Sequence, residues 1–261
     1  MKRRLLLTLT AALSLSFGSA FAAETIKVGA SPVPHADILK VVQPELAKKG
    51  IELKIIEFSD YVQPNLALND GELDANYFQH LPYLQSFAGE RGLKLVSAGN
   101  VHIEPMGVYS NKVKNVQDIK KGGRVGIPND PTNGGRALKV LETAGLIKLA
   151  DGVGVNATPL DIIDNPKDLR IVEIEAAVLP RSLEDLDASV INSNFALGAG
   201  LNPVKDALVL ESKDSPYANV VAVREGDTEK PAVKALMDEL RSDKVRTFIA
   251  DQYKGAVVPA F

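Results

Sequence analysis

The segment Ile127 to Leu138, IPNDPTNGGRAL, reads as the end of a strand, a turn, and the opening of a helix with an arginine one turn in. Asn129, Asp130 and Pro131 are turn formers, and a proline disfavours helical geometry in the residue before it. Thr132 and Asn133 are candidate N-caps, since either side chain can accept a hydrogen bond from a free amide two or three residues on. Gly134 and Gly135 carry no Cβ, which would let a ligand approach the backbone. Free amides and the helix dipole suit an anion, and Arg136 offers a two-pronged clamp for a carboxylate. The same residues also suit an ordinary capped surface helix, so the neighbouring segments must decide between the two.

Strands and helices alternate on either side of this unit. Thr25–Ala30 and Ile51–Phe58 show period-two apolar alternation and read as strands. The stretch from Ala36 to Lys49 between them reads as a helix kinked or interrupted near Pro44. Pro64 and Gly71 bracket a short helix, as a first-turn proline and a C′ glycine do. Leu73–Phe78, Leu93–Ala98 and Met106–Ser110 are further expected strands, with a helix over Pro82–Arg91. Around the opening unit, residues 124–128 are expected as strand and 133–144 as helix. Strands follow at 170–175, 188–193 and 217–224, short helices at 182–186 and 195–200, and longer helices near 229–240 and 243–253. This order predicts α/β architecture with largely parallel sheets, and no internal repeat or long linker interrupts it.

Residues 1–22 read as a cleaved export signal. Lys2, Arg3 and Arg4 precede the short apolar run Leu5–Phe17, and Ala20-Phe21-Ala22 has the small-x-small pattern of a cleavage site. The chain holds no cysteine, which excludes disulfides, thiolate metal sites and thiol catalysis. It also excludes a lipid-modified cysteine, so the expectation is a soluble, unanchored periplasmic protein. Removing the signal takes away three of 30 basic residues and none of 33 acidic ones, leaving a net charge near −6. With no basic run of five or more, nucleic acid is not an expected partner.

In open parallel sheets, ligands bind beyond the carboxyl ends of strands. Several polar-aromatic segments fall at such places: residues 58–61, 74–83, the opening segment, and 191–194, with 215–219 beginning the last strand. Together they offer an arginine, asparagines, a histidine and aromatic rings. That set suits a zwitterion with an apolar side chain: arginine for the carboxylate, amide oxygens for the ammonium, rings for the rest. Each also has a plainer reading. Asn192 and Asn194 can simply end a strand; Tyr61, Phe78 and Tyr83 can be core aromatics, and His80 a structural histidine. Two other functions compete. His35, His80 and His102, with Asp37 or Glu104, contain the donors of a divalent-metal receptor but lack a spacing motif. An exported hydrolase lacks support, because no G-x-S-x-G, H-E-x-x-H or cysteine nucleophile is present. No enzymatic activity, cofactor or metal is expected.

DANYFQHLPYL at 74–84, IPNDPTNGGRAL at 127–138, LPRSL at 179–183, INSNFA at 191–196 and SPYANVVAVR at 215–224 resemble, in order, the NlpA/MetQ family. These are methionine-binding receptors of bacterial ABC importers. The resemblance covers essentially the whole mature chain. It implies a type II periplasmic-binding-protein fold, two α/β lobes with the ligand in the cleft between them. Residues 23–104 and 212–261 would form lobe 1, and residues 105–211 lobe 2. It further implies Arg136 at the ligand carboxylate, Asn133, Asn192 and Asn219 around the amino-acid head, and Tyr61, Phe78, His80 and Tyr83 along the side chain. The implied function is capture of methionine, the L form and as a further candidate the D form, by a monomer. Delivery would be to a membrane permease with its cytoplasmic ATPase. A methionine-containing dipeptide or another amino acid is the alternative ligand. One departure stands out: Ala22-Ala23 occupies the place where many members carry a lipid-anchor cysteine.

Overall fold

The computed structural model describes residues 24–261; the expected signal, residues 1–22, lies outside the described residues. The elements are β1 (Glu24–Ala30), α1 (Asp37–Lys48), β2 (Ile51–Glu57), α2 (Gln63–Asn69), β3 (Ala75–His80), α3 (Leu81–Arg91) and β4 (Leu95–Ile103). There follow β5 (Gly107–Tyr109), β6 (Arg124–Pro128), α4 (Pro131–Thr143), β7 (Lys148–Leu149), β8 (Ile162–Asp164), β9 (Arg170–Ile174), α5 (Leu179–Ser182) and β10 (Ala188–Ile191). The chain ends with α6 (Ser193–Gly198), α7 (Pro203–Asp206), β11 (Val209–Leu210), β12 (Ala218–Arg224), α8 (Pro231–Leu240), α9 (Asp243–Tyr253) and β13 (Val258–Pro259).

Two sheets organise these elements. One has the order β13-β4-β12-β3-β1-β2 and the other β11-β5-β10-β6-β9, while β7 and β8 form a separate hairpin. β1 runs parallel to β2 and β3, and β6 parallel to β9 and β10. β12 is antiparallel to both β3 and β4, and β5 is antiparallel to β10 and β11. The sheets are therefore mixed rather than largely parallel. Antiparallel pairing arises where the chain crosses between sheets, once after β4 and once between β11 and β12.

Each sheet is covered on both faces, which is why inner strands such as β3 and β10 are buried along their whole length. Along β12, Val221 and Val223 join the core under α1, α8 and α9, while Val220 and Ala222 join the one under α2 and α3. That split is the period of two at work. In the second sheet, Val125 and Ile127 of β6 pack with Leu138 and Leu141 of α4. Gly126 between them faces α5, where a Cβ would lie 3.0 Å from Leu179 Cδ2.

Two local expectations change. α1 continues through Pro44, because that residue lies on the solvent face and the carbonyl it leaves unbonded can turn to water. β3 runs on to His80, two residues past its expected end, and all six of its residues are buried. Its polar members are satisfied in the interior: Asn76, Gln79 and Asn65 of α2 exchange side-chain hydrogen bonds of 2.7–2.9 Å. The β7–β8 hairpin was not anticipated, since strands of two and three residues carry no readable periodicity.

Candidate functional site

A small cavity lies between the sheets. All eight residues singled out from the sequence line it: Tyr61, Phe78, His80, Tyr83, Asn133, Arg136, Asn192 and Asn219. Gln79, Glu104, Ser193 and Asn194 complete the lining. The ends of β3 and β10, the first turns of α3 and α4, and the start of β12 supply most of them. Glu104 comes instead from the first crossover.

The helix carrying Arg136 starts one step earlier than expected. Asp130, not Thr132 or Asn133, is the N-cap of α4; its carboxylate accepts from the Asn133 amide at 2.9 Å, and Pro131 opens the first turn. A carboxylate already sits on those amides, so this helix end is not the free anion site the sequence suggested. Nor do the glycines make room for a ligand. A Cβ on Gly134 would lie 2.9 Å from Pro128 O, and one on Gly135 would lie 2.2 Å from Val155 O. They let α4 pack against backbone. Gly135→Ala is expected to lower the unfolding free energy by about 1–3 kcal/mol or more in urea titration, as overpacking does. An unchanged midpoint would contradict the packing role.

Arg136 is buried and ties both crossovers together. Its Nε and Nη2 meet Glu211 Oε1 and Oε2 at 3.0 and 2.5 Å, and Nη2 also donates to Glu104 O at 2.7 Å. The guanidinium stacks over Tyr217 at 4.3 Å. The two-pronged edge is thus spent on Glu211, and Nη1, bonded to nothing among the described residues, is left for the cavity. Glu211 was missed, because a lone glutamate 75 positions from Arg136 gives no sequence signal.

The asparagines sort by what each atom already holds. Asp130 can only accept, so Asn133 Nδ2 faces it at 3.0 Å, and Asn133 Oδ1 is turned to the cavity side. There it accepts from Asn192 Nδ2 at 2.8 Å and from His80 Nε2 at 3.0 Å. His80 must donate through Nε2, since its Nδ1 accepts from the Tyr83 amide and caps α3. Burial, reinforced by Arg136, pushes the His80 pKa down to about 3, so this imidazole is neutral. Asn219 Oδ1 lies 2.9 Å from His35 Nε2. Asn192 Oδ1 alone of the three acceptors is buried without a partner among the described residues.

Three aromatic side chains pack together at the cavity. Tyr61 packs against Phe78 and Tyr83 with ring centroids 5.9 and 5.8 Å apart. It also contacts Phe195 of α6 at 4.9 Å, a neighbour the sequence did not reveal. The Tyr61 hydroxyl donates to Asn194 Oδ1 at 2.5 Å, so a side chain from the loop after β2 meets one from α6 over the cavity.

Of the suggested metal donors, His35, His102 and Glu104 do meet, with ligand-capable atoms within 4.8 Å of one another. His80 does not join them, and Asp37 is engaged elsewhere, with the Tyr253 hydroxyl and Lys40. Glu104 Oε1 lies 2.7 Å from His102 Nε2 and 3.2 Å from His35 Nε2. Burial lowers the pKa of His35 to about 4, against the pull of Glu104, and that of His102 to about 3. Burial also raises the Glu104 carboxyl above its ordinary range, opposed by His35 and Arg136.

The profile of the NlpA lipoprotein family matches residues 26–261. The chain is 44% identical over 236 residues to the D-methionine-binding lipoprotein MetQ of Salmonella typhimurium, covering 89% of this chain and 87% of that one. It superposes with a TM-score of 0.88 on a nutrient binding protein from Burkholderia cenocepacia bound to methionine, at 52% identity over 90% of this chain and all of that one. A periplasmic substrate-binding protein of an ABC transporter from Coxiella burnetii gives a TM-score of 0.86 at 46% identity, again over 90% of this chain and all of the other. These neighbours share the two-lobed binding-protein fold expected from the sequence. They also correct one expectation. The family and the relatives are named lipoproteins, some of them membrane lipoproteins, which overturns the expectation of a soluble, unanchored periplasmic protein. The sequence itself contains no cysteine.

Proposed function

The chain belongs to the NlpA lipoprotein family, whose members are substrate-binding receptors of ABC transporters and not enzymes, and we propose that its ligand is methionine. One observation carries this reading: the cavity holds a guanidinium nitrogen, a carboxylate, an unpartnered amide oxygen and an aromatic wall within one small space. Arg136 Nη1 takes the ligand carboxylate. Glu104 and Asn192 Oδ1 take the ammonium, which has three donors to place. Tyr61, Phe78, His80 and Tyr83 surround the thioether, whose sulfur favours aromatic neighbours. Asn133 acts by holding His80 and Asn192 in place, and Asn219 by holding His35.

The lobes comprise residues 23–104 with 212–261, and residues 105–211. Sheet membership supports this division, since β1–β4, β12 and β13 share one sheet and β5, β6 and β9–β11 the other. Capture proceeds by closure of the lobes around the ligand, which shifts the population only by its preference for the closed form. The Tyr61–Asn194 and His80–Asn133 hydrogen bonds, each spanning the two lobes, support such a closed arrangement. A monomer then delivers methionine to a membrane permease driven by a cytoplasmic ATPase.

Native mass spectrometry of the purified protein is expected to show a methionine-sized adduct. After unfolding, dialysis and refolding, methionine at one hundred times its Kd should add about 2.7 kcal/mol of stability, read as a rise in Tm. Absence of a shift with any amino acid or dipeptide would overturn the reading.

A further inference from the structure

Behind the cavity wall, three buried polar side chains form a chain of contacts that no direct ligand contact explains. The Tyr77 hydroxyl hydrogen-bonds His102 Nδ1, and His102 Nε2 lies 2.7 Å from Glu104 Oε1. From the other side, His35 Nε2 reaches the same Glu104 oxygen at 3.2 Å and Asn219 Oδ1 at 2.9 Å. Both neighbours of His35 Nε2 are acceptors, so that nitrogen carries the proton; His35 Nδ1 is buried without a partner. At His102, a hydroxyl on Nδ1 and a carboxylate on Nε2 select the same tautomer. His35 and His102 are almost wholly shielded from solvent, at 1% and 0% exposure. The rings lie 5.0 Å apart and both pack edge-on against Tyr77.

We infer that His102 is a positioning residue, which holds Glu104 Oε1 through its Nε2–H while the His35 Nε2–H is spent on Asn219 Oδ1 beside it, and so leaves the other carboxylate oxygen for the ligand's ammonium. This rests on the methionine reading above. The physical case is that a buried carboxylate without donors would turn away or take up a proton. The neutral His102 imidazole supplies a hydrogen bond without adding a positive charge that would compete with the ammonium. The remaining groups around the carboxylate fit: Arg136 donates to the Glu104 backbone oxygen, and the Asn194 amide favours the ionised carboxylate. Tyr77, the nearest other titratable group, stays protonated because burial raises its pKa well above the ordinary value.

The chain has three histidines, so ¹⁵N-histidine NMR of tag-free, ligand-free protein at neutral pH reads each ring separately. His35 and His102 are expected as neutral Nε2–H tautomers; a proton on Nδ1 of either overturns the assignment. Calorimetric binding of L-methionine and of 4-(methylthio)butanoate, which lacks the amino group, tests the role. His102→Leu is expected to weaken methionine about 10- to 150-fold, the worth of a hydrogen bond to a charged group, and to leave the desamino compound nearly unchanged. His102→Gln, whose Nε2 amide restores a donor at the same distance along the side chain, should recover most of the loss. Equal loss for both ligands, or no recovery with glutamine, would reduce His102 to a packing residue. Stoichiometric zinc or manganese in protein prepared without chelator would likewise overturn the proposal. Wild-type protein that binds neither compound sinks the methionine reading and the ammonium role with it, while the histidine spectrum still decides whether His102 holds Glu104.

Discussion

Truncating Arg136 to alanine is expected to weaken methionine binding by about 2–5 kcal/mol, roughly 30-fold to several thousand-fold. The size follows from burial. Arg136 is 2% exposed, so a carboxylate on its Nη1 is shielded from water, and removing the cation would leave that ligand charge unpaired in the interior. The variant also strands Glu211, whose side chain is 14% exposed, so ligand-free stability should fall as well. Glu211→Gln separates the two effects. It weakens the same ion pair but keeps the guanidinium, and is expected to cost far less binding than Arg136→Ala. Titration calorimetry of both variants, after circular dichroism establishes that each is folded, decides the matter. Binding within twofold of wild type by Arg136→Ala would mean that the carboxylate site lies elsewhere.

Acid is expected to unfold this protein early. The three histidines are held neutral in the fold, His35 down to about 4 and His80 and His102 to about 3, against an ordinary value near 6.5. Above pH 6.5 neither the folded nor the unfolded chain protonates them, and their full contribution to stability is present. Below it the unfolded chain takes up a proton on each, which the fold refuses until about pH 4 or 3, so stability falls with pH across that window. Each histidine can contribute a slope of about 1.4 kcal/mol per pH unit, and three together about 4. Glu104 and Asp130 work the other way, because burial raises their carboxyl pKa values and the fold binds those protons before the unfolded chain does. A net loss of about 3–6 kcal/mol is expected between pH 7.5 and 5, a large share of the ~5–15 kcal/mol typical of a folded chain. Urea titrations at the two pH values measure it directly, and an unchanged midpoint would mean that the histidines are charged or exposed. His80→Gln should remove about a third of the slope.

The alternation of strands and helices was legible because period and turn chemistry are local. β1, β6, β12 and the two C-terminal helices α8 and α9 lie within a few residues of where apolar spacing and caps put them. Cavity membership was legible for a related reason. Segments at strand ends converge in an α/β fold, and all eight named residues came from such segments. Glu104 was visible only as a possible metal donor, since nothing near it in the chain marks a ligand contact. Asp130 shows the limit of local reading: Thr132 and Asn133 were the expected caps of α4, and Asp130, read only as a turn former, takes that place.

The sequence by itself determined the α/β class and the two-lobed family fold. The tertiary structure decided what each polar atom is free to do. Asn133, Asn192 and Asn219 look equivalent along the chain, yet only Asn192 keeps an unpartnered acceptor. Arg136 has its paired edge closed by a glutamate 75 positions away, and His35 meets a partner 184 positions away. A buried donor or acceptor must find a partner wherever the sheets bring one. Those pairings depend on strand order and on two crossovers, and no local pattern of residues encodes either.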